Sequence, residues 1–225
     1  MKTLFRNKFF IVGLFLSCLF IALCALVSCG ITQNFDQEII HKIYELRGCT
    51  SAPQGFFYWI NRILTEAGYV YVLVPACVIA ILICKCDLKS LFLSLGTLIV
   101  WLTNKFIKIL FVRERPPQIY HMMTETSASF PSGHAMSSAF FYFFLAYIIR
   151  NLNINKKIKT PLFIACIIMP FIIALTRINL SVHYLTDVIA GILFSGAVVC
   201  FAIIAYQHFI DKGYNGLKQL LTKKK

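Results

Sequence analysis

The sequence predicts an all-α protein, a bundle of six membrane-spanning helices with short interfacial helices between the first and the second. Three observations predict it. The 225 residues are 59% hydrophobic and 14% charged, too apolar a balance for an ordinary soluble domain. Uncharged stretches recur at lengths close to the roughly 20 residues that one spanning helix needs. The net charge of +13 falls in segments that a six-helix path brings to one side of a membrane.

The first span, 9–29, contains the uncharged run Phe9–Ser28. The basic residues ahead of it, with Leu26-Val27-Ser28-Cys29 at its end, also have the form of a secretion signal with a lipoprotein-type cleavage site. The run is long enough to span, so a retained helix is expected. The segment 34–66 follows. In it Phe35, Ile39, Ile40, Ile43, Tyr44 and Leu46 recur at helical spacing against Asp36, Glu38, Lys42, Glu45 and Arg47. Phe56–Ile60 is an aromatic cluster of the kind that favours a membrane interface. This segment reads as two amphipathic helices on the outer surface, broken around Gly48–Gly55, with anchoring favoured over a lid. The second span, 67–84, is the uncharged stretch after it. The third, 90–112, is interrupted by Lys105 and Lys108. The fourth, 134–150, begins at the polar Ser132-Gly133-His134. The fifth, 160–178, and the sixth, 186–208, are again long apolar runs. One domain, 1–225, is expected. Five cysteines lie in apolar runs and no disulfide framework is indicated.

A strongly basic chain raises the question of nucleic acid. The distribution argues for membrane topology instead. Lys2, Arg6 and Lys8 precede the first span, and Lys85 and Lys89 lie between the second and third. Arg150, Lys156, Lys157 and Lys159 separate the fourth and fifth. Lys212, Lys218 and Lys223–Lys225 follow the sixth. Cytoplasmic loops carry such an excess, so both termini are expected in the cytoplasm and 30–66, 113–133 and 178–186 outside. The partners implied are membrane lipids, with no nucleic acid.

Charged groups at the edge of a membrane are costly and point to function. Lys108 and Arg115 end the third span, Ser132-Gly133-His134 opens the fourth, Arg177 ends the fifth, and His183 and Asp187 open the sixth. Every one of these ends points outward in this topology. Three permanent cations in one pocket suit a dense anion, and arginine matches phosphate oxygens in a bidentate way. Ser132 and Gly133 stand where a helix N-terminus offers unpaired N–H groups and a positive dipole. His183 and Asp187, four residues apart, share one helix face. The carboxylate can orient one ring nitrogen and leave the other for phosphorus, with histidine as nucleophile. His134 can protonate a leaving alcohol and then activate water. Asp187 is the only acid expected at this site, so the chemistry is read as metal-free and without a cofactor.

Lys108-x6-Arg115-Pro116, Pro131-Ser132-Gly133-His134 and Arg177-x5-His183-x3-Asp187 resemble the three-part signature of the type-2 phosphatidic acid phosphatase superfamily. That family also contains vanadium haloperoxidases and glucose-6-phosphatase. The resemblance implies that Lys108, Arg115, Ser132, Gly133 and Arg177 hold the phosphoryl group. It implies that His183 becomes phosphorylated, that His134 is the acid–base and that Asp187 supports His183. Members commonly have serine where this chain has Thr176. Lys105 and Arg113 read as charges that snorkel to the interface. His41, His121 and His208 read as surface residues, and Phe140–Phe144 as packing.

The expected function is a membrane lipid phosphate phosphatase of bacterial type in the cell membrane, its site on the outer face. Its substrate would be a phospholipid or prenyl lipid: phosphatidylglycerol phosphate, phosphatidic acid, undecaprenyl diphosphate or a lipid A phosphate. A lipid phosphotransferase would use the same residues. A non-catalytic lipid binder or transporter has no need for two histidines and their carboxylate.

Overall fold

A computed structural model describes residues 8–52 and 54–214. The basic residues Lys2, Arg6, Lys218 and Lys223–Lys225 of the topology argument lie outside them. The described chain forms eight α-helices and one short 3-10 turn, with no strand. In order these are α1 (Lys8–Ser28), α2 (Gln33–Leu46), α3 (Phe56–Glu66), α4 (Val70–Ile83) and α5 (Leu88–Phe111). The 3-10 turn Gln118–Tyr120 comes next, then α6 (Gly133–Arg150), α7 (Lys156–Asn179) and α8 (Leu185–Asp211).

Helix α6 is the centre of the bundle and packs on α5, α7 and α8. Its Phe140 and Phe144 rings are fully buried and stack 5.8 Å apart, 7° from parallel. Gly96 on α5 makes room for them, since a Cβ there would stand 2.0 Å from Phe140 Cζ. Asp87 starts α5 by accepting a hydrogen bond from Ser90 N at 2.8 Å. Helix α1 lies along α8 and buries only Gly13, leaving Ile11, Phe15 and Ile21 exposed. Exposed apolar side chains of this size are what a lipid-facing surface carries.

Helices α1, α5, α7 and α8 are each long and apolar enough to cross a membrane. Helices α3 and α4 pass that test only as a pair, bent by 41° at their junction. At ~1.5 Å per residue α4 alone falls short of a hydrocarbon core about 30 Å thick. The structure therefore differs from the single straight helix expected over 67–84. Helix α6 differs too: Ser137, Ser138, Tyr142 and Tyr147 dilute its apolarity. It is covered by its neighbours, as a core helix of the bundle.

The segment between α1 and α3 departs from a purely surface-lying pair. Asp36 and Ile40 of α2 are both 0% exposed. Ile40 packs with Ala135, Ile178, Tyr184 and Val188, at the ends of α6, α7 and α8. Helix α2 thus presses one face onto the place where the sequence motifs meet.

Candidate active site

His183 lies in a sharp turn between α7 and α8. Helix α7 ends in a Schellman motif, with Val182 N donating to Arg177 O (3.2 Å) and Ser181 N to Ile178 O (2.8 Å). Ser181 takes the left-handed position, φ 53°, where glycine is the usual residue. Tyr184 caps α8, and its N–H donates to Asp187 Oδ2 at 2.9 Å. The turn leaves His183 only 1% exposed, one helical turn before Asp187.

The expected His183–Asp187 contact is present and long, with Nδ1 3.5 Å from Oδ2. Ser129 accounts for the length. Its hydroxyl donates to Asp187 Oδ2 and stands 3.4 Å from His183 Nδ1. That carboxylate oxygen therefore already accepts from Ser129 and from Tyr184 N. Burial first, then Arg115, Arg177 and Lys108, hold the His183 imidazole well below the ordinary histidine range. The ring is neutral at neutral pH. Its Nδ1 faces a hydroxyl and a carboxylate, which assigns the proton there and leaves the Nε2 lone pair directed at Arg115. Arg115 Nη1 is 3.3 Å from Nε2 and also donates to Val182 O at 2.5 Å.

A depressed imidazole sets the sign of a pH effect. Activity that needs neutral His183 persists below pH ~6.5 and is lost only as pH falls through the lowered value. Arg115→Gln removes a neighbouring positive charge, so imidazolium forms more readily. The acid limb of kcat in that variant is expected at higher pH than in the unmodified protein. Both profiles use the same lipid, so ionisation of the substrate cancels between them.

By sequence alone Arg113 is an interfacial charge. The structure puts it in the middle of the site. Val112, at the C-terminus of α5, is left-handed with φ 41°. Arg113, next in the chain, then spans two buried carboxylates. Its Nη1 donates to Asp187 Oδ1 (2.6 Å) and Thr186 Oγ1 (2.8 Å), and its Nη2 to Asp36 Oδ2 (2.6 Å). Its guanidinium lies 4.5 Å from the Tyr184 ring centroid. Burial works against the Arg113 charge, but Asp187 and Asp36 outweigh it and raise the pKa above the ordinary arginine value. The expectation of one acid at the site is thereby corrected. Asp36 and Asp187 share Arg113, and Glu125 pairs with Arg177 and, at 3.6 Å, with Arg115.

The remaining residues form a cationic cradle. Lys108 Nζ donates to Ala128 O and to Ser127 Oγ (3.3 Å), and Arg115 Nε to Ser127 O (2.7 Å). Arg177, 0% exposed, donates to Thr65 Oγ1 (3.0 Å) and Glu125. Ser132 is the N-cap of α6, yet its hydroxyl makes no capping bond, unlike the usual serine cap. Ser132 Oγ, His134 Nε2 and Arg177 Nε are buried with no hydrogen-bond partner among the described residues. Asn104 Nδ2 donates to Pro131 O (3.0 Å), and Asn104 Oδ1 would stand 2.9 Å from a Cβ at position 133, so a larger residue there would have to displace the Asn104 side chain. Thr176 donates its hydroxyl to Ile173 O (2.7 Å).

Lys108, Arg115, Gly133, His134 and His183 line one cavity of about 150 Å³. Ser132 and Arg177 are fully buried, one next in chain to Gly133 and the other bonded to the lining residue Glu125. The His134 ring stands edge-on to Tyr69, 4.1 Å between centroids. A second, apolar cavity of about 330 Å³ runs between α4 and α5 and shares Val70, Trp101 and Ser137 with the first. Sequence reasoning missed Ser129, Arg113, Asp36, Glu125 and Tyr69. Asp36 and Arg113 carried one signal: a charge on or next to an otherwise apolar helical face.

Residues 89–211, more than half of the chain, match the family described as the PAP2 superfamily. Phosphatidylglycerophosphatase B of Bacillus subtilis (strain 168) is 34% identical over 104 residues, 46% of this chain. The match spans half the length of that relative, 50%. Among solved structures, a transmembrane PAP2-type phosphatidylglycerolphosphate phosphatase from Bacillus subtilis is similar at TM-score 0.75 and 27% identity. That similarity covers 89% of this chain and 96% of the other.

Proposed function

This chain belongs to the PAP2 superfamily, and we propose that it is a membrane lipid phosphate phosphatase working through a phosphohistidine. One observation carries the reading most. Lys108, Arg115, the N-terminus of α6 and two histidines converge around a single small cavity, with Arg177 buried behind its lining residue Glu125. The adjoining apolar cavity is of the right chemistry for a lipid tail, which supports a lipid over a water-soluble phosphate.

Arg115, Lys108 and Arg177, with the first N–H groups of α6, bind the phosphoryl oxygens. Phosphate oxygens then take up the Arg115 donors that point at Nε2. His183 Nε2 attacks phosphorus, forming a P–N bond as the P–O bond to the lipid breaks. His134 gives its proton to the departing oxygen. Asp187, fixed in place by Arg113, together with the Ser129 hydroxyl stabilises the positive charge that develops on the ring. Water then attacks phosphorus, His134 takes its proton, the P–N bond breaks and inorganic phosphate leaves. Asp36, Asp187 and Glu125 each accept from an arginine, and these steps are written with side chains alone.

Six crossings, cytoplasmic termini and an outer-face site are part of the proposal. Their support is positional. Lys85, Lys89, Arg150, Lys156, Lys157 and Lys212 lie at or beside the ends of α4 to α8 opposite the site. A basic excess marks the cytoplasmic side, and the cell membrane is the natural location.

The test is phosphate release by purified protein from phosphatidylglycerol phosphate, phosphatidic acid, undecaprenyl diphosphate and lipid A phosphates, with and without chelator. Release from a single lipid in water, unchanged by chelator, is expected. Phosphatidylglycerol phosphate is the first candidate, because both similar proteins are named for that lipid. Turnover only when an acceptor lipid is added would make the protein a phosphotransferase. Binding without turnover would make it a binder.

A further inference from the structure

Helix α2 reaches both sides of the turn that carries His183. Arg47, at its C-terminal end, donates through Nη1 to Asn179 O (3.0 Å) and through Nη2 to Ser181 Oγ (2.9 Å) and Tyr120 O (3.0 Å). Asp36, in its first turn, accepts from Thr186 N (3.2 Å) and Thr186 Oγ1 (2.5 Å), besides Arg113. Asp36, Ile40, Ile43 and Arg47 follow one another at spacings of four, three and four, one stripe of a helix. The two polar ends of that stripe grip the C-terminus of α7 and the N-terminus of α8, with Ile40 packed between them.

We infer that α2 is a clamp that positions the nucleophile, with Asp36 and Arg47 as its two jaws. The turn needs one. Residues Leu180–Val182 are 0% exposed, and Ser181 holds a left-handed φ of 53° without being glycine. Such a conformation persists only where its surroundings over-determine it. Arg47 holds the Ser181 side chain and the carbonyl two residues before it. On the other side, Asp36 caps Thr186 N and fixes the far arm of Arg113, whose near arm holds Asp187. His183 lies between the two grips and touches neither jaw. A nucleophile displaced by ~1 Å can lose ~100-fold in rate, so the clamp acts on turnover and not on phosphate binding.

The test compares Arg47→Ala, Arg47→Lys and Asp36→Asn with the unmodified full chain, and uses Lys42→Ala on the exposed face of α2 as control. Two readouts are taken. The first is amide exchange across residues 180–186 against the centre of α8. Exchange there is expected to be at least ~10-fold faster in Arg47→Ala and Asp36→Asn, with α8 unchanged. The second rests on the phosphatase reading. In these variants kcat falls ~10- to 100-fold while KM stays within about threefold, Arg47→Lys falls between, and Lys42→Ala is unaffected. Unchanged exchange at 180–186 would overturn the clamp, as would a rise in KM at constant kcat. If Arg47→Ala fails to fold, Arg47→Lys and Asp36→Asn carry the same two readouts. An unmodified protein that releases no phosphate would end the phosphatase reading, while the exchange experiment would still decide the clamp.

Discussion

His183→Ala is expected to abolish phosphate release, by ~10⁴-fold or more, while the lipid phosphate still binds. Losses of that size follow removal of a nucleophile in sites whose members act as a unit. The other imidazole that lines the cavity, His134, is the one assigned to proton transfer. The lone pair of Nε2 exists at neutral pH because burial and the cations around the cavity keep the ring unprotonated. Lys108, Arg115 and Arg177, the groups proposed to bind phosphate, lie on other elements and remain, so binding is expected without the imidazole. Trp101 lines both cavities, and its fluorescence reports occupancy in the variant. His134→Ala gives a separable result. Removing the acid slows lipid departure by ~10²–10⁴-fold but leaves the nucleophile in place. A substrate with a good leaving group should then label His183 with phosphate that water removes slowly. Turnover of His183→Ala near the unmodified rate, or a label on another residue, would exclude His183 as nucleophile.

Arg113→Ala is expected to be the most damaging change outside the sequence motifs. Asp36 and Asp187 are both 0% exposed, and the guanidinium is what pairs them. Removing one partner of a buried ion pair costs ~3–5 kcal/mol, because the charges left behind are uncompensated. Thermal unfolding in detergent measures that loss. A second consequence is chemical. With Arg113 gone, the Asp187 carboxylate is no longer fixed, and Ser129 and His183 lose the anchor that orients them. kcat is expected to fall at least ~100-fold in whatever fraction remains folded. Arg113→Lys should rescue little, since one ammonium cannot reproduce a fork that reaches two carboxylates and a hydroxyl. Full activity and stability in Arg113→Lys would show that the charge alone suffices. It would also remove the link between α2 and the catalytic pair.

The site was legible wherever its chemistry is written at short range. His183 and Asp187 are four residues apart, Ser132, Gly133 and His134 are consecutive, and Lys108 and Arg115 flank one helix end. Such spacings translate directly into a shared face or a shared terminus. The all-helical, membrane-embedded character was legible for a similar reason, since runs of apolar residues need no partner to be recognised. What the sequence hid is held together at long range. Asp36 lies 150 residues from Thr186, and Arg113 lies 74 from Asp187. Ser129 lies 58 from the same carboxylate. None of these pairs leaves a period or a motif, and an isolated arginine beside an apolar helix looks like any interfacial charge.

The sequence by itself therefore determined the all-helical membrane character, the family and the groups proposed to meet the phosphate. Hydropathy and local spacing act within one or two helical turns, and they suffice for those. Only the tertiary structure decided how the nucleophile is held. It made α2 part of the site, set Ser129 between His183 and Asp187, and turned Arg113 from a surface charge into the bridge between two buried acids. The physical reason is desolvation. Once helices pack and water is excluded, each buried charge must find its partner wherever the fold supplies one, and sequence distance no longer matters.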